Sequence, residues 1–176
     1  DAIVNAGDIA ENGLLCEYQY ISEKLAGART NCFLNAVGNH DVRLKASYKK
    51  TVRNFTGFTN ELNKSVGSDF TIDSLHYSYE INGYRFIVLG TDRTEFEESY
   101  ISEAQLCWLD AQLTEASKTG KPIFVMIHQP LKQTHGLPDT WNSPIDSAGS
   151  VGAQSDSLKY FLNKYDNVFL ITGHLH

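Results

Sequence analysis

The chain is poor in the features that would fix its class at once. Its three cysteines, Cys16, Cys32 and Cys107, are odd in number, widely spaced and form no Cys-x-x-Cys pair. Neither a disulfide framework nor a zinc knuckle is indicated, and all three read as buried small hydrophobes. No apolar run is long enough to span a bilayer, and no signal peptide is visible. Basic residues are not in surplus: the formal net charge of -6 argues against a nucleic-acid groove binder, which carries a basic face. There is no Gly-x-Ser-x-Gly elbow and no cysteine beside a histidine, so a serine or cysteine hydrolase is a weak reading. No internal repeat or low-complexity tract occurs.

What remains is ordinary in composition. At 176 residues, 41% hydrophobic and 20% charged, the chain reads as one soluble globular domain with a substantial core. Neither compartment nor oligomeric state is legible. The chain opens on Asp1 and stops at His176 within a ligand-like motif, which suggests a partial domain, incomplete at both ends.

The informative pattern is where the apolar runs stop. Ala2–Ala6 ends in Gly7-Asp8, and Phe33–Val37 ends in Gly38-Asn39-His40-Asp41. Pro122–Ile127 ends in His128-Gln129-Pro130, and Val168–Thr172 ends in Gly173-His174-Leu175-His176. Short apolar runs bounded by glycine read as buried strands, and in open α/β sheets sites form at the carboxyl ends of strands. Four coincidences of strand end and ligand-type residue point to a single site.

Between these runs, Leu14, Tyr18, Ile21 and Leu25 fall at helical spacing, and Tyr48, Val52 and Phe55 suggest a second helix. Gly57–Ser74 reads as irregular. His76–Ile81 and Tyr84–Leu89 flank Asn82-Gly83, the preferred pair for a type I′ hairpin. Ser102-Glu103-Ala104-Gln105 is a capping-box pattern that opens a helix through Leu106, Leu109 and Leu113. Leu158, Phe161, Leu162 and Tyr165 mark a last helix. Strands alternating with helices, with one inserted hairpin, give an α/β layered fold. The long connection from Pro130 to Gly152 carries His135 and Trp141; the first reads as a surface residue, the second as a loop anchor or a stacking platform. His76 reads as a solvated histidine and Asp92 as a turn residue.

Asp8, Asn39, His128, His174 and His176 form an oxygen and nitrogen set suited to first-row divalent metals. His174 and His176, two residues apart in an extended segment, turn the same way, and the two oxygens of Asp8 can bridge two cations. One carboxylate against two divalent cations leaves a strong positive charge, which attracts a phosphate dianion. Such cations lower the pKa of bound water from about 15.7 toward roughly 7, making hydroxide available as nucleophile. His40, held by Asp41, could protonate the leaving oxygen.

These motifs, in this order and spanning nearly the whole chain, resemble the calcineurin-like metallophosphoesterase family. Gly13, five residues after Asp8, belongs to the same set, and Ala104-Gln105-Leu106-Cys107-Trp108-Leu109 is also similar to purple-acid-phosphatase-like and cyclic-nucleotide-phosphodiesterase-like members. The resemblance implies a layered α/β/β/α sandwich and a binuclear hydrolase of phosphomonoesters or phosphodiesters. It implies Asp8 as the bridge between two divalent ions (Mn, Fe or Zn), Asn39, His128 and His174 on the second metal, and His176 on the first. His40 is implied as the catalytic histidine, with Asp41 beside it. The family's first motif, Asp-x-His, is absent from the sequence. Glu11 stands where purple acid phosphatases carry a tyrosine ligand to ferric iron, which favours divalent metals. The competing expectation is a non-catalytic module of the same fold that binds a metal or a partner.

Overall fold

The computed structural model describes residues 1–43, 46–134 and 149–175. The elements run β1 (Ala2–Asn5), α1 (Leu15–Leu25), β2 (Cys32–Asn35), α2 (Asn39–Val42), α3 (Tyr48–Ser65), β3 (Tyr77–Ile81), β4 (Tyr84–Val88), α4 (Glu103–Ser117), β5 (Ile123–Met126), α5 (Ser155–Leu162) and β6 (Val168–Ile171). β1 and β2 form a two-stranded parallel sheet. The other four strands form a second sheet in the order β3-β4-β5-β6, antiparallel at the hairpin and parallel beyond it.

Two apolar cores separate four layers. Phe33 and Leu34 of β2 pack with Tyr18 of α1, with Phe55, Phe58 and Leu62 of α3, and with Tyr77, Val88 and Met126 of the larger sheet. The opposite face of that sheet, with Ile87, Ile123 and Val125, packs against Leu109 and Leu113 of α4 and Leu158 and Leu162 of α5. Strand alternation makes this division: Val125 points to one core and its neighbour Met126 to the other. The result is the α/β/β/α sandwich that the resemblance implied.

The hairpin follows its turn residues, with Asn82 at φ 53° and Gly83 at φ 78° joining β3 to β4. Two readings need correction. The segment from Gly57 onward is not irregular, because α3 continues to Ser65. Phe58 and Leu62 extend the stripe set by Phe55, and Gly57 lies on the exposed side, where it costs the helix little. Nor are all three cysteines buried: Cys32 is, whereas Cys16 and Cys107 are exposed, and all three are free. The capping box of α4 forms by half. Ser102 accepts the Gln105 N–H, but the Ser102 N–H goes to Asp92 Oδ2 at 2.8 Å. Asp92 is thus a turn residue that completes a helix cap. His76 is only part-exposed and packs its ring on Trp108, 4.9 Å between centroids.

Buried side-chain amides and one hydroxyl clasp backbone that the ladders leave unpaired. Phe33 and Asn35 turn their peptide groups away from β1. Asn63 Oδ1 accepts the Phe33 N–H at 2.8 Å while its Nδ2 donates to the Phe33 carbonyl at 3.0 Å. The Tyr77 hydroxyl does the same for Asn35, at 2.8 and 2.9 Å, and so ties the edge of the small sheet to the large one. Gln105 clasps Gly90 in the same way. Each clasp satisfies two polar groups that burial would otherwise strand. Asn63→Leu should therefore destabilise the protein by about 2–4 kcal/mol, read as a lower denaturation midpoint in urea with an unchanged slope; a shift within experimental error would contradict this.

Candidate metal centre

The carboxyl ends of β1, β5 and β6 lie side by side. Gly173 N–H donates to the His128 carbonyl at 2.9 Å, and His128 Nδ1 lies 2.8 Å from the Ala6 carbonyl. A carbonyl only accepts, so Nδ1 carries the proton and the lone pair of a neutral His128 sits on Nε2. That Nε2 lies 3.0 Å from Asp8 Oδ2 and 3.2 Å from His174 Nδ1. Asp8, His128 and His174 each offer one ligand atom within 4.8 Å of the others. His128 is 2% exposed. Acceptors packed this closely out of water repel one another unless a proton or a cation lies between them.

Asp8 is held in place by its backbone and by its neighbours. It adopts φ 54°, a left-handed conformation tolerated by aspartate. Its Oδ1 accepts the His40 N–H at 2.9 Å, which leaves Oδ2 facing His128. Burial pushes the Asp8 carboxyl up, but its neighbours His128 and His40 outweigh it and hold the group below its ordinary value.

Asn39 is 1% exposed. Its Nδ2 donates to Glu97 Oε2 at 2.9 Å and to the Phe96 carbonyl at 3.3 Å. Its Oδ1 is buried with no hydrogen-bond partner among the described residues. Glu97 Oε2 in turn lies 3.9 Å from His174 Nε2, so Asn39 and His174 flank the same carboxylate. An orphaned buried amide oxygen is costly, and a cation beside it would remove that cost.

The expectation that Asp41 holds His40 is corrected. Asp41 is fully buried, and both its oxygens are engaged elsewhere. Oδ1 accepts from Ala10 N at 2.9 Å and Tyr18 Oη at 3.0 Å, and Oδ2 from Gly38 N at 2.9 Å and Ile9 N at 3.2 Å. Burial pushes its pKa up to about 6 against the pull of these four hydrogen bonds. Asp41 thus fastens the loop after Asp8 to the turn at Gly38. The His40 ring meets Arg43 Nη2 at 2.8 Å and Glu11 Oε1 at 3.1 Å through Nδ1. Nδ1 thus stands between a guanidinium that only donates and a carboxylate that only accepts, and Glu11 is held by the same Nη2 at 3.2 Å. His135, Trp141 and His176 lie outside the described residues. Arg43 and Glu97 were not anticipated as parts of this site, since neither sits at a strand end or within a ligand-spaced motif, and Glu11 was read only for the tyrosine it replaces, not as a partner of His40.

The whole chain, residues 1–176, matches the sequence profile of the calcineurin-like phosphoesterases. It therefore belongs to the calcineurin-like phosphoesterase family, whose members are metal-dependent phosphoester hydrolases. Among solved structures, a dimetal phosphatase from Danio rerio aligns with a TM-score of 0.49 at 14% identity, over 98% of this chain and 80% of that one. No curated protein sequence matches the chain. No helix among the described residues is long and apolar enough to cross a membrane.

Gly38 shows how tightly the site is drawn. A Cβ there would stand 2.1 Å from Asp8 Oδ1 and 2.3 Å from its backbone nitrogen. Gly38→Ala should displace Asp8 and weaken Mn²⁺ binding about tenfold or more, measured by titration calorimetry on protein whose circular dichroism is unchanged. Retained affinity would mean that Asp8 is not held where its neighbours place it.

Proposed function

We propose that this protein hydrolyses phosphomonoesters or phosphodiesters at the Asp8 cluster. Asp8, Asn39, His128 and His174 would hold one divalent ion, Mn, Fe or Zn. Asp8, with His176, would reach a second. The observation that carries this reading is the convergence of Asp8 Oδ2, His128 Nε2 and His174 on one point, together with an Asn39 oxygen that is buried without a hydrogen-bond partner among the described residues. Two imidazoles, an amide oxygen and a carboxylate suit first-row divalent metals. Bound there, such ions supply positive charge for the phosphoryl oxygens and acidify water.

The chain's own residues do the rest. His128 is locked by Ala6 with its Nε2 toward the cluster. His40, its Nδ1 held between Arg43 Nη2 and Glu11 Oε1, would donate a proton from Nε2 to the leaving oxygen. Arg43 is steadied by Glu11 Oε1 at 3.2 Å and Glu97 Oε1 at 3.5 Å, and together with Glu11 it orients the ring that a proton donor needs. Residues 1–176 act as one phosphoesterase domain in this reading.

The test is turnover of a nitrophenyl phosphodiester and of an alkyl phosphodiester by Mn²⁺-loaded and chelator-treated protein. Chelation and His128→Ala should each abolish turnover. His40→Ala should lower alkyl-ester turnover by about 100-fold or more, and affect nitrophenyl esters far less because their leaving group needs no proton. Equal losses on both esters would remove His40 from the acid role. Cation binding without turnover of either ester would instead favour a non-catalytic module.

A further inference from the structure

We infer that Glu97 is the positioning residue that turns Asn39 Oδ1 into the metal cluster. The inference rests on the metal-binding reading above and concerns a residue outside every strand-end motif. A primary amide can rotate by half a turn with almost no change in shape, so packing alone does not decide which end of Asn39 faces the cluster. Hydrogen bonding decides it. The Asn39 Nδ2 has two hydrogens and two acceptors, the Glu97 carboxylate at 2.9 Å and the Phe96 carbonyl at 3.3 Å. A flipped amide would set its oxygen against both of these acceptors, one of them charged, inside the protein. The opposite end of the amide, Oδ1, is then left buried with no hydrogen-bond partner among the described residues, the disposition a cation requires.

Glu97 is itself held. Its carbonyl accepts Gln129 Nε2 at 2.8 Å, and the Gln129 Oε1 takes a hydrogen bond from Ser99 Oγ. Gln129 is the residue after His128 and is 1% exposed. Its amide therefore fastens the segment carrying Glu97 to the strand end that carries His128. Glu97 Oε1 faces Arg43 Nη1 at 3.5 Å, which leaves Oε2 for Asn39. The carboxylate thus links the amide of Asn39 to the arginine beside His40.

A role through Asn39 has a signature that a general structural role lacks, which is loss of additivity. The probe is Co²⁺ alone, titrated calorimetrically into the protein and into Glu97→Ala, Glu97→Gln, Asn39→Ala, Glu97→Ala with Asn39→Ala, and His128→Ala, each checked by circular dichroism. Glu97→Ala should weaken Co²⁺ binding about 10-fold or more. Glu97→Gln should bind within about threefold of the parent, because a glutamine oxygen still accepts from Asn39 Nδ2, and only the longer contact to Arg43 at 3.5 Å is lost. Adding Glu97→Ala to Asn39→Ala should cost nothing further. Should Glu97→Ala not fold, Glu97→Leu removes the same acceptor with more side-chain volume and carries the same expectation. Unchanged affinity in Glu97→Ala, a Gln variant as weak as the Ala variant, or multiplying losses in the double variant would each overturn the inference. If those outcomes came with strong loss in His128→Ala, the cluster would still stand as a metal site. Absence of Co²⁺ binding by the parent protein would overturn both.

Discussion

The organisation of the site depends on one crowded arrangement of acceptors. Asp8 Oδ2 and His174 Nδ1 both approach His128 Nε2 within 3.2 Å, and His128 Nδ1 is committed to the Ala6 carbonyl. Water cannot relieve this crowding at a histidine that is 2% exposed. A shared proton or a cation is what holds these three ligand-type atoms together. The protein has assembled lone pairs, and their mutual repulsion is the physical basis for cation binding.

That crowding is maintained by groups that play no part in it directly. Asp41 gathers N–H donors from Ile9, Ala10 and Gly38 and a hydroxyl from Tyr18, and so sets the loop carrying Asp8 against the turn carrying Asn39. Burying this charge is costly in isolation, and four donors aimed at it offset the loss of water. The clasps of Asn63 and Tyr77 on β2 act one layer further out. They fix the strand whose end supplies Asn39 and His40. Chemistry at the strand ends is thus coupled to polar groups in the sandwich core.

The layered fold and the ligand types at the strand ends were legible because both follow from short-range rules. Apolar runs ending at glycine mark strands, and Asn82-Gly83 marks a hairpin. Contacts between side chains were less legible. His40 and Asp41 are adjacent in sequence, which suggested that one holds the other, yet both lie in the helical turn Asn39–Val42. Successive helical residues point roughly 100° apart, so Asp41 turns into the core while His40 turns outward to Arg43, its neighbour three residues on. Glu97 lies 58 residues from Asn39 in an irregular segment, where no periodicity marks it. The significance of Gly13 was visible only as part of a motif; a Cβ there would stand 2.0 Å from the Asp41 carbonyl oxygen. The continuation of α3 past Gly57 was lost because a glycine within a polar run resembles a loop until Phe58 and Leu62 are seen to face the core.

The account stands on the identity of the atoms that meet at the cluster, and X-ray absorption on protein loaded with one equivalent of Zn²⁺ reads them directly. The account predicts a shell of imidazole nitrogens and light oxygen donors at about 2.0–2.2 Å with no sulfur, and loss of imidazole scattering in His128→Ala. A shell containing sulfur near 2.3 Å, or one made of oxygen alone, would contradict it.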